Sequence, residues 1–317
     1  MARPTLSLVL PMFDEEEVID ELHAQLQSFL KDLGVDTEVI FVDDGSRDKT
    51  FAKLGELCKR DARYSILSFS RNFGHQTAIT AGVDHARGEA VVVMDADLQD
   101  PPSVVVEMMD KWREGYDVVY GKRKSRAGET FFKKLTAAIF YRLFAAMIPI
   151  EVPLDTGDFR LMSRRVVLTL RALRETHRFV RGMVSWVGFK QTAVLYDRPG
   201  RFAGETKYPL RKMLRFAIDG ITSFSVLPLR LSTWLGVTMS VLSVCYAIWA
   251  CIVHFVLNRT VPGWTATVVL IALLASVQLL MIGILGEYIG RIYEEVKRRP
   301  LYVVKERVNL QKDDDET

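Results

Sequence analysis

Two carboxylates one residue apart, Asp95 and Asp97, close the apolar run Val91-Val92-Val93-Met94. Side chains of this kind at the tip of a buried strand offer hard oxygens to Mg2+ or Mn2+, and such an ion can neutralise a diphosphate. Other carboxylates occupy comparable places. Asp14 and Glu15 follow the Leu6–Leu10 run and Pro11, and Asp43 and Asp44 follow Glu38–Val42. They can accept hydrogen bonds from ligand hydroxyl or N–H groups, although Asp44 and Asp48 would also serve as loop caps. Arg71 and Gln76 flank the next loop. A second polar constellation, Asp155-Thr156-Gly157-Asp158-Phe159-Arg160-Leu161, stands further along the chain. Two basic segments could hold a phosphate: Arg123, Lys124 and Arg126, and then Arg201 and Lys207 around Gly204. A guanidinium supplies a bidentate fork and an ammonium a point charge. Substrate phosphate is favoured for Arg123 and Arg201, and lipid head groups for Lys124, Lys133 and Lys134. His75, His85 and His177 read as isolated, in surface or capping roles.

These residues must be positioned by alternating strands and helices. Strand-like runs at Leu6–Leu10, Glu38–Val42, Ser65–Phe69, Val91–Met94 and Asp117–Tyr120 alternate with helical segments. The helical segments are Glu15–Leu33, Asp48 to about Asp61, about Gln76–Ala86 and, after Pro101-Pro102, a stretch to Arg113. Such alternation predicts an α/β fold with a doubly wound, mostly parallel sheet, whose crevice lies at the carboxyl ends of the strands. No Gly-x-Gly-x-x-Gly follows the first strand, and the spacing from Gly115 to Gly121-Lys122 is wrong for a phosphate-binding P-loop.

The 317-residue chain carries a formal net charge of +3 and is 49% hydrophobic, unevenly spread. No Asp, Glu, Lys or Arg occurs from Leu231 to Asn258, or from Thr260 to Gly286. Each run exceeds the roughly 20 residues a helix needs to cross a bilayer. Arg211, Lys212, Arg215 and Arg230 precede the first run, Arg291, Lys297, Arg298 and Arg299 follow the second, and the connection holds only Arg259. The positive-inside rule then puts both termini in the cytoplasm, and no signal peptide is expected. Trp234 and Trp264 fit interfacial positions. Basic amphipathic stretches near 130–148 and at 208–226 fit helices on a membrane surface, the first equally well a core-facing helix. The three cysteines, Cys58, Cys245 and Cys251, have neither metal-ligand nor disulfide spacing.

Met94-Asp95-Ala96-Asp97-Leu98-Gln99-Asp100-Pro101-Pro102 resembles the metal-binding signature of family 2 glycosyltransferases of the GT-A fold. Pro11-Met12-Phe13-Asp14-Glu15, Val42-Asp43-Asp44-Gly45-Ser46 and Ser70-Arg71-Asn72-Phe73-Gly74 match its other signatures in order. The two apolar runs and Gly286-Glu287-Tyr288-Ile289-Gly290-Arg291 narrow the resemblance to polyprenyl-phosphate glycosyltransferases: bactoprenol glucosyltransferases of the GtrB type and, more distantly, dolichyl-phosphate mannose synthases. Asp14 stands where Asn is common in the family. The resemblance implies a cytoplasmic GT-A domain over 1–207, an interfacial helix at 208–226, a transmembrane hairpin at 227–290 and a cytoplasmic tail at 291–317.

It also implies site roles. Pro11, Asp14, Glu15, Asp43, Asp44, Arg71, Gln76 and Asp95 would contact the donor nucleotide. Asp95 and Asp97 would hold Mg2+ or Mn2+, Asp97 and Asp158 would be catalytic, and Arg123, Arg201 and Lys207 would grip the acceptor phosphate. For Asp158 the role is either base or acceptor-orienting group, because a phosphate acceptor with a second pKa of about 6 is already largely ionised. The expected reaction is inverting transfer of a sugar, glucose from UDP-glucose first, to a polyprenyl (undecaprenyl) phosphate at the bacterial plasma membrane. Mannose from GDP-mannose or an aminoarabinose derivative is the alternative, and a non-catalytic flippase subunit is the rival of another class. Expected partners are the nucleotide sugar, the lipid phosphate, the membrane and further copies of the chain, without nucleic acid. A processive polysaccharide synthase is disfavoured, since no Gln-x-x-Arg-Trp motif occurs.

Overall fold

The computed structural model describes residues 3–123, 156–197, 225, 227–255 and 263–310. These residues fall into two units. The first holds an eight-stranded sheet. Its strands are β1 (Leu6–Met12), β2 (Thr37–Asp43), β3 (Tyr64–Phe69), β4 (Ala90–Val93), β5 (Val118–Arg123), β6 (Thr156–Ser163), β7 (Gln191–Tyr196) and β8 (Val304–Val308), in the order β7-β5-β6-β4-β1-β2-β3-β8. β1 to β4 are mutually parallel, β6 runs antiparallel between β4 and β5, and β8 runs antiparallel along β3. The sheet is thus mixed and mostly parallel, as the alternating sequence pattern predicts.

Strands buried on both faces must be apolar throughout, and every residue of β1 is buried. Successive side chains alternate between faces. Leu6, Leu8 and Leu10 share a core with Leu22 and Leu26 of α1 (Ile19–Leu33), Leu54 of α2 (Thr50–Arg60), and Val105 and Met108 of α4 (Val104–Arg113). Val9 faces α3 (His75–His85) on the other side, where a Cβ on Gly82 would stand 2.1 Å from Val9 Cγ1. Only glycine permits that approach. α5 (Arg164–Ala172) and α6 (Val180–Val187) complete this unit. Asp48 ties the start of α2 down, accepting from the amides of Thr50 (2.9 Å) and Glu16 (3.1 Å).

Four elements lie beyond the strand runs read from the sequence. β6 inserts between β4 and β5, β7 extends the sheet past β5, α6 follows α5, and residues 304–308, placed by the sequence reading in a tail, form the edge strand β8. Asn309 Nδ2 fastens that strand by donating to the carbonyls of Cys58 and Tyr64.

The second unit contains α7 (Leu227–Phe255) and α8 (Trp264–Val296), of 29 and 33 residues. Both are long and apolar enough to cross a membrane, and apolar side chains such as Leu231, Trp234, Leu279 and Ile282 are exposed along them. The amphipathic stretch at 130–148 and, apart from Ser225, that at 208–226 lie outside the described residues, as do Asp155, Arg201 and Lys207.

Candidate active site

The site forms where the loops after β1, β2, β3 and β4 converge, the usual ligand crevice of an open α/β sheet. The antiparallel register between β4 and β6 pairs Val93 with Arg160. Extending it by two residues places Asp95 opposite Asp158, which explains why carboxylates 63 positions apart in sequence share one centre. The turn after β4 is tightly folded. Leu98 takes a left-handed backbone (φ 60°), which costs energy for a side chain of its shape. The turn is closed by Asp97 Oδ1 accepting from Gln99 N (3.1 Å) and by Asp100 Oδ2 accepting from Asp95 N (3.3 Å). Asp100 is buried, and Tyr196 Oη on β7 donates to its other oxygen at 2.8 Å.

Three side chains converge on Asp158. Arg181 of α6 donates to both carboxylate oxygens, Nε to Oδ1 at 2.8 Å and Nη2 to Oδ2 at 3.0 Å. Gln76 Nε2 donates to Oδ2 at 3.3 Å, while its Oε1 accepts from Val180 N at the start of α6. His75 Nε2 lies 3.3 Å from Asp158 Oδ2 and 3.5 Å from Asp95 Oδ1. His75 is therefore not isolated, contrary to the sequence reading: α3 begins at it, and the helix start delivers it between two carboxylates.

These neighbours set the charges. Burial alone would raise the Asp158 carboxyl, but the His75 bond and the Arg181 guanidinium hold it well below the usual range. Burial pushes Asp95 up to about 6; His75 opposes this, and the charges of Asp100, Asp158 and Asp97 add to it. Burial works against protonating His75, yet its bond to Asp158 and the charges of Asp95 and Asp158 raise it above the ordinary histidine value. Asp158 is thus a fixed anion, and a poor proton acceptor.

Asp95 Oδ1 is buried and has no hydrogen-bond donor. A carboxylate oxygen with no hydrogen-bond donor, faced by His75 Nε2 at 3.5 Å and with a second carboxylate two residues on, fits a hard divalent cation. Among the described residues no group of three His, Cys, Asp or Glu side chains forms a cage. An ion held by Asp95 and Asp97 would complete its shell with water and substrate oxygens, the habit of Mg2+ at phosphates.

The remaining candidates divide between loop construction and the open crevice. Asp43 accepts from Ser46 N and Ser68 Oγ, and Asp44 accepts from the amides of Phe73 (2.6 Å) and Gly74 (2.9 Å). Both are buried, and burial raises the Asp44 carboxyl against those amide bonds. The expected loop-capping role of Asp44 is therefore present. Gly45 makes the junction possible: its φ is 71°, and a Cβ there would stand 2.5 Å from the Arg71 carbonyl carbon. Asp14, also left-handed (φ 52°), accepts from Arg47 N, and Glu15 N donates to Thr50 Oγ1. These two are tied to the loop after β2 and to the start of α2. Pro11 is buried in β1 beside Val42. Arg71 is exposed, its guanidinium 3.9 Å from the Phe73 ring centroid. Arg123 ends β5 beside Gly157, where a Cβ would stand 3.9 Å from Nη2, and its Nε is buried without a partner.

Sequence reasoning missed Arg181, His75 and the role of Asp100. Asp100 was visible in the motif itself. A single arginine in Val180-Arg181-Gly182 carries no local signal, because its meaning comes from α6 packing beside β6.

The family 2 glycosyl transferase model matches residues 7–171, and a GtrB C-terminal hairpin model matches 227–292. The chain belongs to glycosyl transferase family 2. It is 50% identical to the uncharacterized glycosyltransferase YkcC of Bacillus subtilis, over 96% of this chain and 94% of that one. It is 42% identical to the SfII prophage-derived bactoprenol glucosyl transferase of Shigella flexneri, over 95% of this chain and 97% of that one. Among solved structures, glucosyl-3-phosphoglycerate synthase from Mycobacterium tuberculosis, in complex with Mn2+ and uridine diphosphate, superposes with a TM-score of 0.47 at 19% identity. The match covers 69% of this chain and 78% of that one.

Proposed function

We propose that this chain transfers a sugar, glucose from UDP-glucose, to a polyprenyl phosphate at the cytoplasmic face of a bacterial plasma membrane, with inversion at the anomeric carbon. The observation that carries the reading is the meeting of Asp95 and Asp158 at the tips of β4 and β6, with Asp95 Oδ1 lacking a hydrogen-bond donor and Asp158 locked as an anion by Arg181. Full-length similarity to a bactoprenol glucosyl transferase supports the choice of donor and acceptor.

Asp95 and Asp97 would hold Mg2+ or Mn2+, which when bound supplies positive charge against the departing diphosphate. The other steps belong to the chain's own groups. The loops bearing Asp14, Glu15, Asp43, Asp44 and Arg71 line the nucleotide side. Gln76, His75 and Arg181 fix Asp158, which orients groups at the sugar or acceptor and removes no proton. None need be removed, since a phosphate monoester is largely ionised at neutral pH. Arg123, Arg201 and Lys207 would draw the lipid phosphate to the face opposite the leaving group. α7 and α8 would span the bilayer with both termini cytoplasmic, so that enzyme and lipid meet on one surface.

A donor screen tests this reading. The purified full-length protein, a short polyprenyl phosphate and Mg2+ are given UDP-glucose, UDP-galactose or GDP-mannose in turn. Incorporation chiefly from UDP-glucose is expected. Incorporation chiefly from GDP-mannose would overturn the donor assignment.

A further inference from the structure

The segment that follows α8 reaches the loop carrying Arg71. Ser70 N donates to the carbonyl of Val303 at 2.9 Å, just where β8 leaves β3. Next to that bond the Tyr302 ring stacks on Phe69, centroids 5.1 Å apart and planes 19° apart. Phe69 meets Phe73 edge to face at 5.6 Å, and Phe73 carries the Arg71 guanidinium on its face. Tyr302 is pinned at its far end too: its Oη donates to Asp84 Oδ2 at 3.1 Å, an oxygen that also accepts from Arg174 Nη1 at 2.7 Å. His85 lies beside the ring at 6.3 Å.

Four groups therefore form a continuous column, Tyr302, Phe69, Phe73 and Arg71, whose base belongs to the chain beyond the second apolar helix. The amides held by Asp44 belong to Phe73 and to its neighbour Gly74. We propose that Tyr302 is a positioning residue for the donor site, its ring fixing Phe69 and Phe73 so that the 70–74 loop presents Arg71 in one place. The proposal rests on the reading of Arg71 as a donor contact.

The test uses full-length protein in detergent and the variants Tyr302→Met, Tyr302→Leu and Tyr302→Phe. Amide exchange over residues 70–76 is followed by mass spectrometry, UDP binding by calorimetry with Mg2+, and transfer by kcat and the two KM values. Losing the ring should raise the UDP Kd and the donor KM about tenfold, the worth of one aromatic pair. Exchange over 70–76 should quicken, while kcat and the acceptor KM stay within about twofold of wild type, a change too small to register as lost transition-state binding. Tyr302→Phe keeps the stack and loses only the bond to Asp84, which Arg174 still holds, so it should stay much nearer wild type than the ring-less variants. Unchanged exchange and UDP binding in the two ring-less variants would overturn the proposal. So would an equal loss in kcat and acceptor KM, or failure of both ring-less variants to fold, which would make Tyr302 a fold determinant only. Should wild type not bind UDP while exchange over 70–76 still quickens without the ring, the nucleotide reading falls and the positioning role stands.

Discussion

At the scale of single residues, the centre has one carboxylate placed for a cation and one already paired. Asp97→Asn removes charge from the turn after β4 without touching the core, so transfer should be abolished while folding is kept. EDTA should stop wild-type transfer, and Mg2+ or Mn2+ should restore it. Wild-type turnover by the variant, or in EDTA, would remove the metal assignment. Arg181→Ala takes away the bidentate partner of buried Asp158. Losing hydrogen bonds to a charged group should cost about 1.5–3 kcal/mol in thermal unfolding, together with most of the activity. Arg181→Lys should recover stability better than activity, since an ammonium cannot reproduce the fork. Asp95 and Asp97 were legible as a pair in the sequence because one short turn contains them both, whereas the part Asp100 plays in closing that turn shows only in the fold. The company of Asp158 was not legible, since His75, Gln76 and Arg181 come from α3 and α6, and only tertiary packing brings them together.

At the scale of elements, the parallel strands were legible because burial on both faces demands unbroken apolar runs. β6 was not, because Gly157, Asp158 and Arg160 interrupt its pattern, and those are the residues the site uses. β8 escaped for another reason: Lys305, Glu306 and Arg307 are exposed, as charged residues on an edge strand should be. The far side of the sheet is clamped by Asp117, just before β5. Its carboxylate accepts from Ser163 Oγ at 3.0 Å and from the Arg165 guanidinium, and Arg165 holds it below the usual carboxylate value. A depressed carboxyl adds stability that is present above the unfolded value of about 3.9 and is lost as pH falls through the folded one. Asp117→Asn should therefore destabilise the protein by about 1–3 kcal/mol at pH 7, and the gap in thermal midpoint should shrink as pH falls below about 4. A gap independent of pH would assign the cost to packing.

At the scale of the whole molecule, the division into a sheet unit and a two-helix unit was legible from the charge-free runs, each long enough to span a bilayer. The return of the chain to the sheet after α8 was not, because pairing with β3 is non-local. This return changes what a truncation should do. A chain ending near Pro228 loses β8 as well as both helices, bares the edge of β3 and should aggregate. Deleting residues 227–299 and joining the flanks with a flexible linker retains β8. That form should bind UDP with Mg2+ but transfer slowly to long-chain lipid, having lost the high effective concentration of a shared surface. A short, water-soluble prenyl phosphate should recover much of the rate. Equal rates on long lipid for the linked and full-length forms would contradict the membrane-docking part of the account. The central claim, that the acceptor is a lipid phosphate, is tested most directly by incubating full-length protein with radiolabelled UDP-glucose, Mg2+ and undecaprenyl phosphate, then extracting with organic solvent. Label is expected in an organic-phase product that releases glucose in mild acid, forms only with the lipid phosphate present and is absent with Asp97→Asn. Label confined to the aqueous phase, with UDP released at the same rate whether or not the lipid is added, would contradict it.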